Sequence, residues 1–549
     1  MRYAIALCCL FATTALSTAQ DPPAKPETPP QVLHEDFSKV PEKPGYTLRK
    51  HAEGKAPAVR DGKLHLLSGG GGENNSAAWP VQIPGERRSI SAEMVFRLTP
   101  GARGLSFMLL HTGHFAAEGA AFYLYKQRGF PGDPTPAEPL WDEPNLWGSF
   151  AVALDTHNPP TEDPFNQWGN IHDRPQREVS LHWDGRELAN VFCTPEFATG
   201  EACVLSVKLD FVTGGAEVTV GVGGQSVYDR HFLPHLMPYE SRAAVGAYGP
   251  DGGACSIDSL HVDFGAAAAN SPGPITVEAM RSAWHATRGP AVEREVELLP
   301  AGVEFERVLM TLRLKPMVER DEWDRLGQVL VRDGEESFEL ARILTPFMLW
   351  GVSYEYVCDV THLRHLLTGK RTIFASMGSN VGKGFTFDIE FHYYRKPADV
   401  AALPKVAGVV NVWRGTANFN SAESVKAVYG VRRIKVPGNA RSARLRICVT
   451  GHGVLEFKPL DRTVRVGDVL HINKLHTTDC YLNPWRPQFG TWKYDRAGWG
   501  PGSFGRVWEI DITKQLKPGS ELELEYVSED FESKDWASHV VESVVVFYE

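Results

Sequence analysis

Along most of the chain apolar and polar residues exchange places every second position, the period of a strand with one buried face. The clearest instance is VLSVKLDFV–TGG–AEVTVGV at 204–222, two alternating runs around a glycine-containing turn, which predicts a hairpin. KLHLL, SAEMVFRL, GLSFMLL, AAFYLY, FAVALDT and EVSLHW share the pattern, and together they predict a β-sandwich over 33–265. The same period returns further on in FERVLMTLRL, QVLVRD, FTFDIEFHYY, ARLRICVTG, RVWEIDI, ELELEYV and VVESVVVFYE. Helical spacing is scarce. One short helix is predicted at DVTHLRHLLTGK, with Gly369 as its stop. The fold class is all-β.

A chain of 549 residues exceeds what one core supports, so several domains are expected. GAAAANSPGP reads as a linker, placed at 266–274, and RKPADVAALPK at 395–405 as a second break. The divisions are then 33–265, 275–398 and 399–549. Few contacts are expected to cross so small and flexible a linker, which would make the first domain separable. At the front, Arg2, the apolar run YAIALCCLFATTAL and the small residues STAQ predict a secretory signal over 1–20. A proline-rich leader, 21–32, follows. Secretion or a periplasmic location is the corresponding expectation.

Composition narrows the function classes. The chain is 43% hydrophobic and 23% charged, with a net charge of −10 spread along its length. No basic stripe suits nucleic acid, and no polybasic tract suits a membrane surface. Beyond the signal there are six cysteines, Cys193, Cys203, Cys255, Cys358, Cys448 and Cys480. None forms CxxC, so a structural zinc site is not expected, and the disulfide pairing stays open.

Three loop sequences concentrate chemistry. ERDEWDR at 319–325 sets six charged side chains around Trp323 at the mouth of a predicted strand. A carboxylate there, beside arginine and an indole, suits general acid–base work; the ring alone suits sugar stacking, and a solvated turn with local ion pairs is the plainer reading. WKYDRAGWGPG at 492–502 again joins acid, arginine and tryptophan, as Asp495, Arg496 and Trp499. TGHGVLEFK at 450–458 sets Glu456 just after a glycine-rich turn. Three loops of one character suggest a single cleft between two sandwiches.

In their order DEWDR, ARILTPF, DVTHLRHLLTG, TGHG…EF and YDRAGWGPG resemble the peptide-N-glycosidase F family over about 275–549. The resemblance implies two jelly rolls side by side and hydrolysis of the amide joining an N-linked glycan to asparagine, with no metal or other cofactor. It implies Asp324 as the principal catalytic residue and Glu456 as a second. Trp323, Arg325, Arg496 and Trp499 become substrate-binding residues of the cleft, with Trp499 against the chitobiose core. Substrates would be N-glycosylated proteins or glycopeptides, with no nucleic-acid or membrane partner. The sequence departs from the family where a further acid belongs. FASMGSNVGKG carries none, and the corresponding position falls near Met377 or Gly378. Cys480 has a family counterpart, but its partner position falls near Gly500. The alternative is a non-catalytic glycan-binding protein on the same scaffold.

Other motifs carry less. His362 with His365, and His111 with His114, could in principle hold a metal, but an exposed or capped face is the plainer reading of each pair. GGGGENN lacks the ending of a phosphate loop. FAVALDTHNPPTEDPFNQWGN faintly resembles loops of concanavalin A-like lectins, with Asp155, Asn158 and Asp163 as oxygen ligands for calcium. Ala153 stands where those lectins have their first acidic ligand. A carbohydrate- or glycoprotein-binding accessory is expected of this domain, with a purely structural sandwich beside it.

Overall fold

The computed structural model describes residues 31–38, 45–121, 140–156, 177–269, 272–317, 323–347, 354–378, 383–480, 485, 488, 490–492, 494–529 and 531–549. The signal and most of the leader lie outside them, as do Asn158, Asp163 and most of AAFYLY. Strands from Gln31–Glu35 to Gly253–Phe264 build an eight-stranded sheet facing a seven-stranded one. Alternation explains the pairing. Along Cys203–Val212 the residues Leu205, Val207, Leu209 and Phe211 point inward, at most 6% exposed, while Ser206 and Lys208 face solvent. The hairpin closes as expected, Val212 opposite Gly215. Strand pairing already begins at Gln31, inside what reads as leader. Asp155 is buried, opposite Glu178 on the neighbouring strand.

The remaining strands form two rolls. In the first they are β1 (Ile275–His285), β2 (Val292–Glu297), β3 (Arg307–Pro316), β4 (Leu326–Asp333), β5 (Glu336–Leu344), β6 (Tyr354–Asp359), β7 (Lys370–Met377) and β8 (Phe385–Tyr394). In the second they are β9 (Val406–Asn418), β10 (Gly430–Lys435), β11 (Ser442–Gly453), β12 (Leu460–Val466), β13 (Val469–Leu475), β14 (Val507–Asp511), β15 (Glu521–Ser528) and β16 (Ala537–Tyr548). The first roll orders its two sheets β1-β8-β3-β6 and β2-β7-β4-β5, and the second repeats this as β9-β16-β11-β14 and β10-β15-β12-β13. These are two jelly rolls of one topology. Each closes over its own core: Val308, Met310 and Leu312 against Val329 and Val331 in one, Leu445, Ile447 and Val449 with Val464 and Leu524 in the other.

The predicted helix is a single 3-10 segment, Thr361–Leu366, and Gly369 at φ 64° turns the chain into β7. An α-helix that the periodicity did not reveal covers Ala422–Val428, capped by the Ser421 hydroxyl accepting from the Ser424 amide. Among the described residues no helix is long and apolar enough to cross a membrane.

A segment of the second roll stitches the two rolls together. Residues 502–505 run along the outer edge of β5, with Ile343 opposite Phe504. The Gly502 amide donates to the Leu344 carbonyl at 2.8 Å, the Leu344 amide to Ser503 at 3.0 Å, and the Gly505 amide to Arg342 at 2.9 Å. Arg342, 2% exposed, reaches back into the second roll, donating to the Val540 carbonyl at 2.6 Å while paired with Glu339 at 3.0 Å. Edge amides and carbonyls that would face solvent are thereby satisfied by the neighbouring roll.

The expectation that few contacts cross the linker meets a correction. The linker is pinned: Arg88 donates its amide to Ala266 at 2.9 Å, and the Ala268 amide donates to Glu86 at 3.0 Å. Beyond it, the Thr213 hydroxyl meets Glu306 at 2.7 Å, His235 meets the Tyr394 hydroxyl at 2.5 Å, and Arg186 pairs with Glu355 at 2.8 Å. The Arg307 guanidinium lies 4.1 Å from the Phe232 ring. Composition marks flexibility, but it cannot show what the flanking surfaces bury. A polypeptide beginning at Pro274 strips these partners from Glu306, Arg307 and Tyr394, and its circular-dichroism melting temperature is expected to fall several degrees below that of the full chain. An unchanged melting temperature would show the interface to be energetically idle.

Candidate active site

The rigid end of β4 positions the first acidic residue. Asp324 lies two residues before the strand, and its neighbour Arg325 is locked by reciprocal backbone bonds to buried Thr345: Arg325 amide to Thr345 Oγ1 at 2.8 Å, Thr345 amide to the Arg325 carbonyl at 3.0 Å. Two residues on, the Phe347 amide donates to Gln488 of the second roll at 2.9 Å. Thus ARILTPF serves as a brace for the DEWDR loop. Trp323 stands out into solvent at 58% exposure.

The second acidic residue comes from the far end of β11. The strand ends at Gly453, φ 66°, where an added Cβ would sit 2.2 Å from the Trp536 carbonyl oxygen. Only glycine fits there. The turn then folds back: the Glu456 amide donates to Gly453 at 3.0 Å, and the Ala497 amide donates to the Glu456 carbonyl at 2.8 Å. This ties TGHGVLEF to DRAGW, two sequence motifs that prove to be one structural unit.

Arg496 lies under that unit, fully buried. Its Nε donates to Glu456 Oε1 at 3.1 Å, Nη1 to the carbonyls of Thr491 and Tyr494 at 2.7 and 3.1 Å, and Nη2 to Thr491 Oγ1 at 2.8 Å. The rings of Phe457 and Trp499 flank it at 4.9 Å, and Phe347 of the first roll lies at 5.7 Å. Burial pushes the Glu456 carboxyl up to about 7; Arg496 opposes that rise, and the negative charge of Asp324 adds to it. The two acidic residues, one from each roll, thus lie within electrostatic reach of each other, and Phe347 of the brace behind the Asp324 loop packs against the Arg496 that holds Glu456.

Asp324, Glu456 and Arg496 are therefore brought together, with Trp323 and Arg325 at the same loop. Trp499 needs correction. Its ring is 1% exposed, donates Nε1–H to the Gly451 carbonyl at 2.8 Å and stacks on His452 at 5.7 Å, so it cannot receive a sugar. It supports Arg496 from behind. The exposed rings near Glu456 are Phe457 and Trp536, at 43% and 64%. The reading of sequence missed both. Phe457 adjoins Glu456 and was findable, whereas Trp536 sits in no motif and arrives through the contact of its backbone with Val454 and Gly453.

The position where the resemblance expects a further acid also falls here. Met377 is buried against Gly327 of β4, and the Gly378 amide donates to the Leu326 carbonyl at 2.8 Å, beside the Asp324 loop. An apolar side chain replaces a charge at the edge of the site. The other departure has a geometric counterpart. A Cβ built on Gly500 lies 3.3 Å from Cys480 Sγ, close to the roughly 3 Å that a disulfide sets between one Cβ and the opposite sulfur. All six described cysteines are thiols.

The histidine pairs take other roles. His362 lines a cavity at the opposite end of the rolls, and His111 Nδ1 accepts from the Gly113 amide at 2.9 Å. Among the described residues no three His, Cys, Asp or Glu side chains cluster as a metal would require.

Comparison with known proteins fits this geometry. Residues 418–546 match the family model for the C-terminal domain of peptide-N-glycosidase F. The peptide-N(4)-(N-acetyl-beta-D-glucosaminyl)asparagine amidase F of Elizabethkingia miricola is 27% identical over 235 residues, 38% of this chain and 62% of that protein. The chain thus spans less than two thirds of that relative's length. The solved structure of PNGase F from Flavobacterium meningosepticum aligns with 51% of this chain and 96% of its own, at 20% identity and TM-score 0.45. The exoplasmic/lumenal domain of VIP36, in a Ca2+/Man2-bound form, aligns with 42% of this chain and 87% of its own, at 15% identity and TM-score 0.28. At these scores the two structures add description only; the family match rests on sequence.

Two outcomes follow from the site geometry. Gly500→Cys is expected to form a disulfide with Cys480 under mild oxidation, read as the loss of two titratable thiols and by peptide mapping. Persistent free thiols would place the two positions apart. The Glu456 carboxyl, raised above its ordinary 4.5, contributes its full stability below pH 4.5, and that contribution is lost as pH rises through about 7. Glu456→Gln is expected to match the parent's melting temperature near pH 4 and to exceed it near pH 8. A difference independent of pH would deny the carboxyl its buried setting.

Proposed function

We propose that this chain, whose second roll carries the peptide-N-glycosidase F C-terminal domain, hydrolyses the amide between an N-linked glycan and asparagine, giving a 1-amino sugar and aspartate. The observation that carries the proposal is that the brace of the Asp324 loop, through Phe347, packs on the Arg496 that holds Glu456, so that acidic residues from separate rolls face one end of their interface. Amide hydrolysis needs a base for water and an acid for the departing nitrogen. A carboxylate beside a carboxyl whose proton affinity is raised by burial supplies both. Asp324 takes a proton from water as its oxygen bonds to the amide carbon. Glu456, half protonated near pH 7, returns a proton to the nitrogen as the C–N bond breaks. Arg496 holds Glu456 in place, and Trp323 offers an exposed face to the first sugar. Secretion directed by the signal expected over 1–20 would bring the enzyme to N-glycosylated proteins, its substrates.

One observation favours a second reading. Met377 at the edge of the site deprives it of an acid that the family resemblance expects, which suits a glycan-binding protein that no longer turns over. Incubation with a denatured N-glycoprotein separates the two through the mass change from Asn to Asp. Asp324→Asn is expected to lower turnover of a glycopeptide on the order of 100-fold or more while leaving its affinity nearly unchanged. Undiminished turnover would remove Asp324 from the mechanism. Glycopeptide binding without turnover in the parent would establish the second reading.

A further inference from the structure

The two jelly rolls repeat one strand order, so β13 holds in the second the place that β5 holds in the first, last in its sheet. The two edges are treated differently. Along β5 the outward amides and carbonyls meet residues 502–505 of the second roll. Beyond β13, among the described residues, no strand or backbone group pairs. Nor do its side chains guard the edge. Leu470 and Ile472 are 60% and 73% exposed, and Val527, in one row across the sheet with Thr463 and Ile472, is exposed as well. An apolar edge left open offers both an unpaired ladder and an apolar patch to the next strand that arrives.

The turn before β13 fixes which groups point outward. Gly467, at φ 56°, and Asp468 make a two-residue hairpin turn closed by Val466 and Val469. The closing pair of such a turn exchanges hydrogen bonds, and the exchange recurs at every second residue. His471 and Asn473 therefore direct their backbone groups to β12, while Leu470, Ile472 and Lys474 turn theirs to the open side. The same three residues, with Asp468, are exposed on the solvent face.

We propose that β13 is a self-association surface, on which a second copy of this chain pairs antiparallel about a two-fold axis through His471. A two-fold contact needs a surface complementary to itself. In this register Leu470 lies opposite Ile472 of the second copy and Asp468 opposite Lys474, and each pair occurs twice. The outward backbone groups of Leu470 and Ile472 then face each other and close the ladder. An axis through Ile472 sets Leu470 against Lys474 instead, and one through Asn473 sets Ile472 against Lys474; both leave Asp468 without an opposite charge. Within one chain Lys474 comes no nearer to Asp461 than 3.9 Å, and Arg465, whose charge Asp468 also feels, is paired with Glu525 at 2.7 Å. Past Leu475 the chain reaches Thr477, which exchanges backbone bonds with Arg496 at 2.6 and 3.0 Å. The two candidate active sites thus lie toward opposite ends of the paired strands, each about 20 Å from the axis at roughly 3.4 Å per residue.

Sedimentation velocity of the full chain tests this. One strand per copy makes a small seam, so a dissociation constant on the order of 10 µM is expected over a range of about 1 to about 100 µM. Asp468→Lys and Lys474→Asp each set like charges opposite one another, and each is expected to weaken the dimer at least about tenfold. The chain carrying both substitutions is expected to dimerise again. An equimolar mixture of the two single variants is expected to form a mixed dimer that neither forms alone, a result that misfolded variants could not give. Ile472→Lys is expected to leave a monomer with the parent's melting temperature. A monomer throughout the range, or a dimer indifferent to the charge reversals, would overturn the proposal. Failure of both the double variant and the mixture to restore pairing would overturn the register and the proposal with it.

Discussion

A guanidinium sealed from water tolerates very little freedom in what surrounds it. Arg496 is wholly buried, so each of its donors must find an acceptor within the protein or destabilise the fold. The acceptors it finds are Glu456, Thr491 and Tyr494, and their positions dictate the course of the loop. Glu456 is thereby aimed, Trp499 is drawn under the cation, and Phe347 of the other roll is brought against it. One buried charge organises both walls of the cleft.

The stitch between rolls performs the complementary task. Residues 502–505 continue directly from the loop that holds Arg496 and hydrogen-bond along β5, which in turn leads into Thr345 and the brace of the Asp324 loop. Displacement of one acidic residue relative to the other would require breaking strand-like hydrogen bonds, which are short and directional. Side chains drawn from two domains into one site ordinarily inherit the slack of the interface between them. Here the same stretch of chain forms the interface and positions the site. A consequence is that both ends of the roll–roll seam become clefts: one where Glu456 loses its ordinary acidity, the other lined by arginines paired with carboxylates.

Much of this was legible along the chain. Period-two alternation gave the strands from 204–222 to VVESVVVFYE almost at their true limits, because in a sheet with one buried face the side-chain direction is set by position alone. The three loops DEWDR, TGHG…EF and DRAGW were each legible as concentrations of acid, base and aromatic chemistry, since local motifs report which side chains lie close along the chain; the structure then sets Arg496 on Glu456. Gly369 and Gly453 were likewise readable as turns, as each stands where the backbone takes a positive φ.

What tertiary structure alone decided is burial and partnership. Trp323 and Trp499 look alike in sequence, each beside an acid and an arginine, yet one is 58% exposed and the other 1%. Nothing local distinguishes them, because exposure depends on what another segment lays over the ring. Trp536 reached the site with no motif, through a backbone contact far along the chain. A linker rich in alanine, glycine and proline looked free, yet the surfaces on either side of it meet through Glu306, Tyr394 and Arg307. Sequence determined which elements form and which groups could react, both short-range properties of the chain. The proton affinity of Glu456, the role of each tryptophan and the meeting of the domains arise from long-range packing, and only the folded molecule settles them.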